Sequence, residues 1–231
     1  MTAQAYPASL TGRLDSPLSR WLWLIKWVLI IPHVIVLMFL WVAVFVLTFV
    51  AGLTILFTGR YPRSIFDFNV GVMRWTWRVA FYSWSAFATD RYPPFSLDAD
   101  PNYPADFNVE YPDHLSRGLV LVKWWLLALP QYLIVAILAG GAGSASDGAW
   151  RATSGGLIAL LAIIAAVLLL ATGKYPAQIF SLLMGFNRWC YRVLVYAALM
   201  RDEYPPFRLD SGGAEPSGPR TTLSSAGPVP V

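Results

Sequence analysis

Apolar residues run almost unbroken from Trp21 to Phe57. A second apolar run, from Leu119 to Ala171, is split by a glycine- and serine-rich stretch. After each run comes an aromatic segment whose polar residues recur every three or four positions. In the first segment these are Asp67, Gly71, Arg74, Arg78, Tyr82 and Ser85; in the second they are Ser181, Gly185, Arg188, Arg192 and Tyr196. Such spacing draws one narrow polar stripe along a helix. Each helix is then stopped by a double-proline phrase, RYPPFSLD at 91–98 and EYPPFRLD at 203–210. Proline lacks the donor a helix needs and pushes its predecessor into extended geometry.

The two halves are copies. SRWLWLIKW at 19–27 matches SRGLVLVKW at 116–124, TGRYPRSIF at 58–66 matches TGKYPAQIF at 172–180, and GVMRWTWRVAFY at 71–82 matches GFNRWCYRVLVY at 185–196. The order is conserved between them, so the chain is a tandem duplication. The copies differ in length: Lys26 to Thr58 spans 32 positions, Lys123 to Thr172 spans 49. The extra residues are mostly GGAGSASDGAWRATSGG at 140–156, a loop by composition. That loop predicts a helical hairpin in the second copy and, by repeat logic, a tighter hairpin in the first. The 37 residues from Trp21 to Phe57 would make a helix of about 55 Å, against a hydrocarbon core of about 30 Å. A turn is therefore expected near Trp41.

The expected fold is an all-α integral membrane protein: a duplicated transmembrane hairpin, each followed by an aromatic amphipathic interfacial helix, with four spanning helices in total. The predicted segments are an N-terminal stretch 1–18, membrane repeats 19–98 and 116–210, a linker 99–115, and a disordered Pro/Gly/Ser-rich tail 211–231. FNVEY at 107–111 alternates like a short strand, and AYPASLTGRLD near the N-terminus echoes the linker. A minor β-element in the linker follows.

Composition agrees with the membrane class: 57% hydrophobic, 13% charged, mean hydropathy +0.53, where soluble domains carry about 25% charged residues. The first twenty residues lack the pattern of a cleaved secretory signal, so no processing is expected. Of the basic residues only Arg151 falls in the 140–156 loop, and none lies near Trp41. The positive-inside rule then puts both termini, the linker and both closing phrases in the cytoplasm. The single cysteine, Cys190, excludes an intrachain disulfide and a thiol cluster.

Arg74, Arg78, Arg188 and Arg192 are the main candidate site residues. At a bilayer centre each would cost about 2.5–3.5 kcal/mol; in the interface each gains about 1 kcal/mol from anionic headgroups. The favoured reading is lipid headgroup binding. Ion pairing with Asp67 or the Asp90 region, and binding the phosphate of a transported lipid, are the alternatives. His33 and Gln131 follow Pro32 and Pro130 inside the apolar runs. They form either an intramembrane polar site near the repeat interface or partners for carbonyls freed by the prolines. Asp90, Asp202 and Glu203 read as solvated caps. No phosphate loop, nucleophile set or metal cluster is visible, so no cofactor, metal or catalytic residue is expected. The basic residues are interleaved with aromatics, which argues against nucleic acid.

The strings GRLDSPLSRWLWLIKWVLIIPH, TGRYPRSIFDFNVGVMRWTWRV and DRYPPFSL resemble an actinobacterial family of integral membrane proteins built on a domain of unknown function, number four-three-eight-nine. The resemblance covers about 13–210. It implies a membrane fold in the bacterial inner membrane and no established activity. Similar sequences often carry His after the proline in both copies; here the pair is Pro32-His33 and Pro130-Gln131. The functional expectation is a non-enzymatic scaffold, accessory subunit or lipid-binding membrane organiser. Its partners would be anionic lipids and a membrane protein or a second copy. The alternative is a small transporter or lipid-handling protein with a site between the repeats.

Overall fold

A computed structural model describes residues 6–140 and 156–209, the side chain of Trp124 excepted. The 140–156 loop, save its two end residues, and the tail from 210 lie outside the described residues. In chain order the elements are β1 (Ala8–Gly12), α1 (Leu22–Leu29), α2 (Ile31–Thr58), α3 (Arg63–Tyr82), β2 (Ala105–Val109), α4 (Arg117–Val122), a π-helical turn (Lys123–Leu127), α5 (Leu129–Ala139), α6 (Leu157–Thr172) and α7 (Ala177–Ala197).

β1 and β2 pair antiparallel about the central couple Leu10↔Phe107, with Ala8↔Val109 and Gly12↔Ala105 at the ends. Leu10 and Phe107 are twins in the duplication, as are Tyr6 and Tyr103. The duplicated unit therefore begins with the strand, and the two strands join the copies across a pseudo-twofold axis. Other contacts are reciprocal in the same way. Tyr61 donates to the Ala198 carbonyl and its twin Tyr175 to the Ala86 carbonyl. Arg74 reaches the Phe107 carbonyl while its twin Arg188 reaches that of Leu10. Trp77 meets its own twin Tyr191 at 5.7 Å between ring centroids. Reciprocity of this kind is the signature of an isologous interface, made here within one chain.

Three layers result. On α3, residues are spread by 100° per position. Trp77 donates to Thr11 of β1 and Arg74 to Phe107 of β2. About half a turn away, Trp75 meets His33, Thr76 meets Trp41, and Val72 and Val79 pack on Leu37 and Val44 of α2. α3 thus lies between the sheet and α2. This corrects the expectation of an interfacial aromatic helix. Phe66, Trp75, Trp77 and Phe81 are buried, because they fill the space between layers and do not face lipid.

α2 corrects the expected hairpin. It runs 28 residues through Trp41 without a turn and ends on Gly59 at φ 73°, the left-handed C-cap that glycine permits. It is the one described helix long and apolar enough to cross a bilayer; α5 and α6 are 11 and 16 residues. Four spanning helices are not supported.

The repeat logic in fact runs the other way. α5 and α6 together bury the stripe that α2 buries: Gln131, Ile158, Ala165, Ala166 and Leu169 answer His33, Val44, Ala51, Gly52 and Ile55. Eleven residues of α5, sixteen of α6 and one between them make twenty-eight, the length of α2. A Cβ on Gly156 would stand 2.3 Å from the Gly140 nitrogen, so the end of α5 abuts the start of α6. Sixteen of the seventeen residues 140–156 are an insertion into the counterpart of α2. A second insertion is smaller. Six positions separate Lys26 from Pro32, but seven separate Lys123 from Pro130. The extra residue is taken up by the π-helical turn Lys123–Leu127, the usual fate of a single insertion in a helix.

Candidate functional site

Each copy closes with a strap, the double-proline phrase folded back along its own aromatic helix. The chain leaves α3 through Phe87 at φ 51° and leaves α7 through its twin Leu199 at φ 62°. Both side chains are buried. Left-handed backbone at large residues costs about 1–2 kcal/mol, and it persists at twin positions where the side chain fills core.

A buried lysine then bolts each strap to the start of its copy. Lys26 Nζ lies 3.0 Å from Asp90 Oδ1 and donates to the Thr89 carbonyl at 2.6 Å. Asp90 Oδ2 accepts from the Ser19 N–H at 2.6 Å. The second copy repeats it: Lys123 to Asp202 at 2.8 Å and to the Arg201 carbonyl at 2.7 Å, with Ser116 N–H on Asp202 at 2.6 Å. Burial pushes both lysines below their ordinary pKa, and the aspartate hydrogen bonds oppose it. Asp90 and Asp202, expected to be solvated caps, are thus anchors of the fold, while Glu203 is exposed. Sequence reading missed them because lysine and aspartate stand more than sixty positions apart. The signal was their recurrence as Lys26/Asp90 and Lys123/Asp202.

Next along the strap lies an aromatic box. His33 Nδ1 accepts from Trp75 Nε1 at 3.1 Å and its ring stacks on Phe95 at 3.9 Å. In the other copy Gln131 Oε1 accepts from Trp189 Nε1 at 2.7 Å, and its Nε2 donates to the Pro205 carbonyl at 3.1 Å. What the position requires is an acceptor for the indole N–H, which both residue types supply. That explains a Pro-His in one copy and a Pro-Gln in the other. His33 and Gln131 each sit under the strap of their own copy, occupied by their own tryptophan, and the structure does not join them in one site between the repeats.

The four arginines lie on the strap side of α3 and α7. Arg74 donates to Phe107 and Leu97 carbonyls and pairs with Asp106 at 3.0 Å. Arg78, without exposed surface, donates to Ser96 and Asp98 carbonyls. Arg192 donates to the Arg208 carbonyl at 3.0 Å, and Arg188 to Leu10 at 3.2 Å. These guanidinium groups hold main-chain oxygens of strap and strand. Glycine makes the approach possible: a Cβ on Gly71 would come within 2.8 Å of Leu97 Cβ, and one on Gly185 within 2.9 Å of Leu209 Cβ. The recurrent polar stripe is the face that seats the strap.

The family model for a domain of unknown function, DUF4389, matches residues 20–96 and 152–208. The chain belongs to the DUF4389 family. One matched region falls in each copy of the duplication, and the family description supplies no activity. Neither a curated protein nor a solved structure matches the chain significantly. For a DUF4389 chain the strap seats are the most conspicuous polar constructions, and they are closed by protein groups. Cys190, half-buried on α7, has its thiol pushed up to about 12 by burial, which suppresses the thiolate a nucleophile needs. No group of three metal-ligating side chains occurs among the described residues. One groove of about 360 Å³ opens beside the second strap, lined by Tyr6, Glu110, Arg201, Glu203, Tyr204 and Arg208. Arg201 there is paired with Glu203 at 2.9 Å.

Proposed function

We propose that the chain is a non-enzymatic protein of the bacterial cell membrane, a pseudo-dimeric organiser that binds anionic lipid and scaffolds a membrane partner or a second copy. The observation that carries this reading is the exposed apolar surface of α1, α2, α5 and α6. Phe45 and Phe57 are 78% and 75% exposed, amid Trp21, Phe39, Phe49 and Leu133. A contiguous apolar surface of this size marks a membrane or protein interaction site. The polar groups that could do chemistry are spent on the straps, which favours an organising role over catalysis or translocation.

The test is purification of the full chain in mild detergent, followed by native mass spectrometry and lipid analysis. Recovery from the membrane fraction with anionic lipid enriched over the bulk composition is the expected result. Recovery from the soluble fraction, free of lipid, would overturn the reading.

A further inference from the structure

We propose that the protein lies in one leaflet of an anionic bilayer, with α2 and the α5–α6 pair parallel to the membrane plane and the β1–β2 sheet turned toward water. The proposal rests on the membrane reading above and adds the orientation.

The pseudo-twofold fixes the direction of α2. The Leu115 N–H donates to the Gly59 carbonyl at 2.9 Å, just beyond the end of α2. Leu115 is the twin of Leu18, just before α1. A twofold keeps twins at one height along its axis, so the path from Leu18 to Gly59 begins and ends at one level. α2 is about 42 Å long, and the whole approach from Leu18 through α1 is about 28 Å at most, at up to about 3.6 Å per extended residue and about 1.5 Å per helical one. α2 therefore lies closer to the plane perpendicular to the axis than to the axis itself.

The layers fix which side faces lipid. The face of α2 that packs on α3 carries His33, Leu37, Val44, Ala51 and Ile55. The opposite face carries Ile35, Val42, Val46, Phe49 and Phe57, all exposed. α2 in turn lies on the side of α3 away from the sheet. The apolar floor and the sheet are thus the two ends of the axis. The sheet end is polar: Ser9, Thr11, Arg13, Asn108 and Glu110 are exposed there.

A transverse α2 would set the axis in the bilayer plane at mid-depth. The sheet, its free strand edges and its charges would then face hydrocarbon. Neither unpaired strand edges nor unpaired charges are tolerated there. With the axis along the membrane normal, the same surfaces face water and the floor sinks about 5–10 Å into the acyl boundary, as interfacial helices do. The rim agrees. Arg20 and its twin Arg117, and Arg60 and its twin Lys174, are exposed at the ends of the floor helices, where anionic headgroups would meet them. The excess of the 37-residue apolar run over the membrane thickness is then no obstacle.

The experiment places nitroxides at Ile35, Val46 and Phe57 by single cysteine substitution in a Cys190→Ser background. The full chain is reconstituted in phosphatidylglycerol/phosphatidylcholine vesicles, and depth is read by power saturation with oxygen and a nickel chelate. Three equal, shallow depths support the proposal. A profile with Val46 deepest and the outer labels at opposite surfaces, about 33 Å apart, overturns it and leaves the membrane reading intact. Polarised infrared dichroism of the unmodified chain on oriented bilayers supplies the same answer should a label disturb folding: α2 along the normal would overturn the orientation. Failure to float with the vesicles would instead overturn the membrane reading itself.

Discussion

At the scale of the residue, the indole acceptor and the buried lysine decide what can be changed. His33→Gln should leave thermal unfolding in detergent nearly unmoved, because Gln131 does the same work in the other copy. His33→Leu leaves the buried Trp75 N–H unpaired and should cost about 1–3 kcal/mol. If His33→Gln proved as damaging as His33→Leu, the imidazole would have a role beyond accepting one hydrogen bond. The lysine clamp is less forgiving. Asp90→Ala strands a lysine whose side chain is 2% exposed, and breaking a buried pair from one side costs about 3–5 kcal/mol. The double change Lys26→Met with Asp90→Ala should recover much of that loss, measured as a double-mutant cycle on the unfolding midpoint. Simple additivity would mean that the pair is not coupled.

At the scale of the element, the two copies are each other's control. Removing one residue from the π-helical turn, Leu126 for instance, restores the first copy's six-position spacing between lysine and proline. Lys123 would still reach Asp202 and Gln131 would still face Trp189. The variant should fold with a midpoint within about 1 kcal/mol of the parent, and circular dichroism with thermal unfolding checks it. Collapse would mean that the turn is required for more than absorbing an insertion. The same comparison says what was legible in the sequence. The duplication, the helical polar stripe, the strand at Phe107 and the strap phrases could be read from local spacing, because each is a local pattern. The hairpin was misread because the segment 140–156, nearly all of it inserted, looks like a turn between antiparallel helices, and only the buried stripe shared by α2 and α5–α6 reveals an interrupted helix. The protein partners of the arginines were not legible for a related reason. A stripe of Arg74 and Arg78 on an aromatic helix suits a headgroup layer as well as it suits a strap, and the strap returns to that helix through tertiary contacts that periodicity does not carry.

At the scale of the whole molecule, the two sets of basic residues have opposite expected roles, and that separates them. Arg20, Arg60, Arg117 and Lys174 are exposed at the ends of the floor, without an ion pair among the described residues. Arg74 and Arg78 are enclosed between strap, strand and helix. Changing the four rim residues to Gln should leave the fold intact and remove the preference for anionic lipid. At about 1 kcal/mol per basic residue, selectivity should fall on the order of a hundredfold or more. Arg74→Gln with Arg78→Gln should do the reverse: the strap carbonyls lose their donors and the unfolding midpoint falls, while lipid preference in the folded fraction stays. Native mass spectrometry of the co-purified lipids, beside a thermal melt of each variant, reads both quantities on the same samples. Loss of lipid preference from the inner pair, with none from the rim, would move the lipid site back under the straps and would require the straps to open in the membrane.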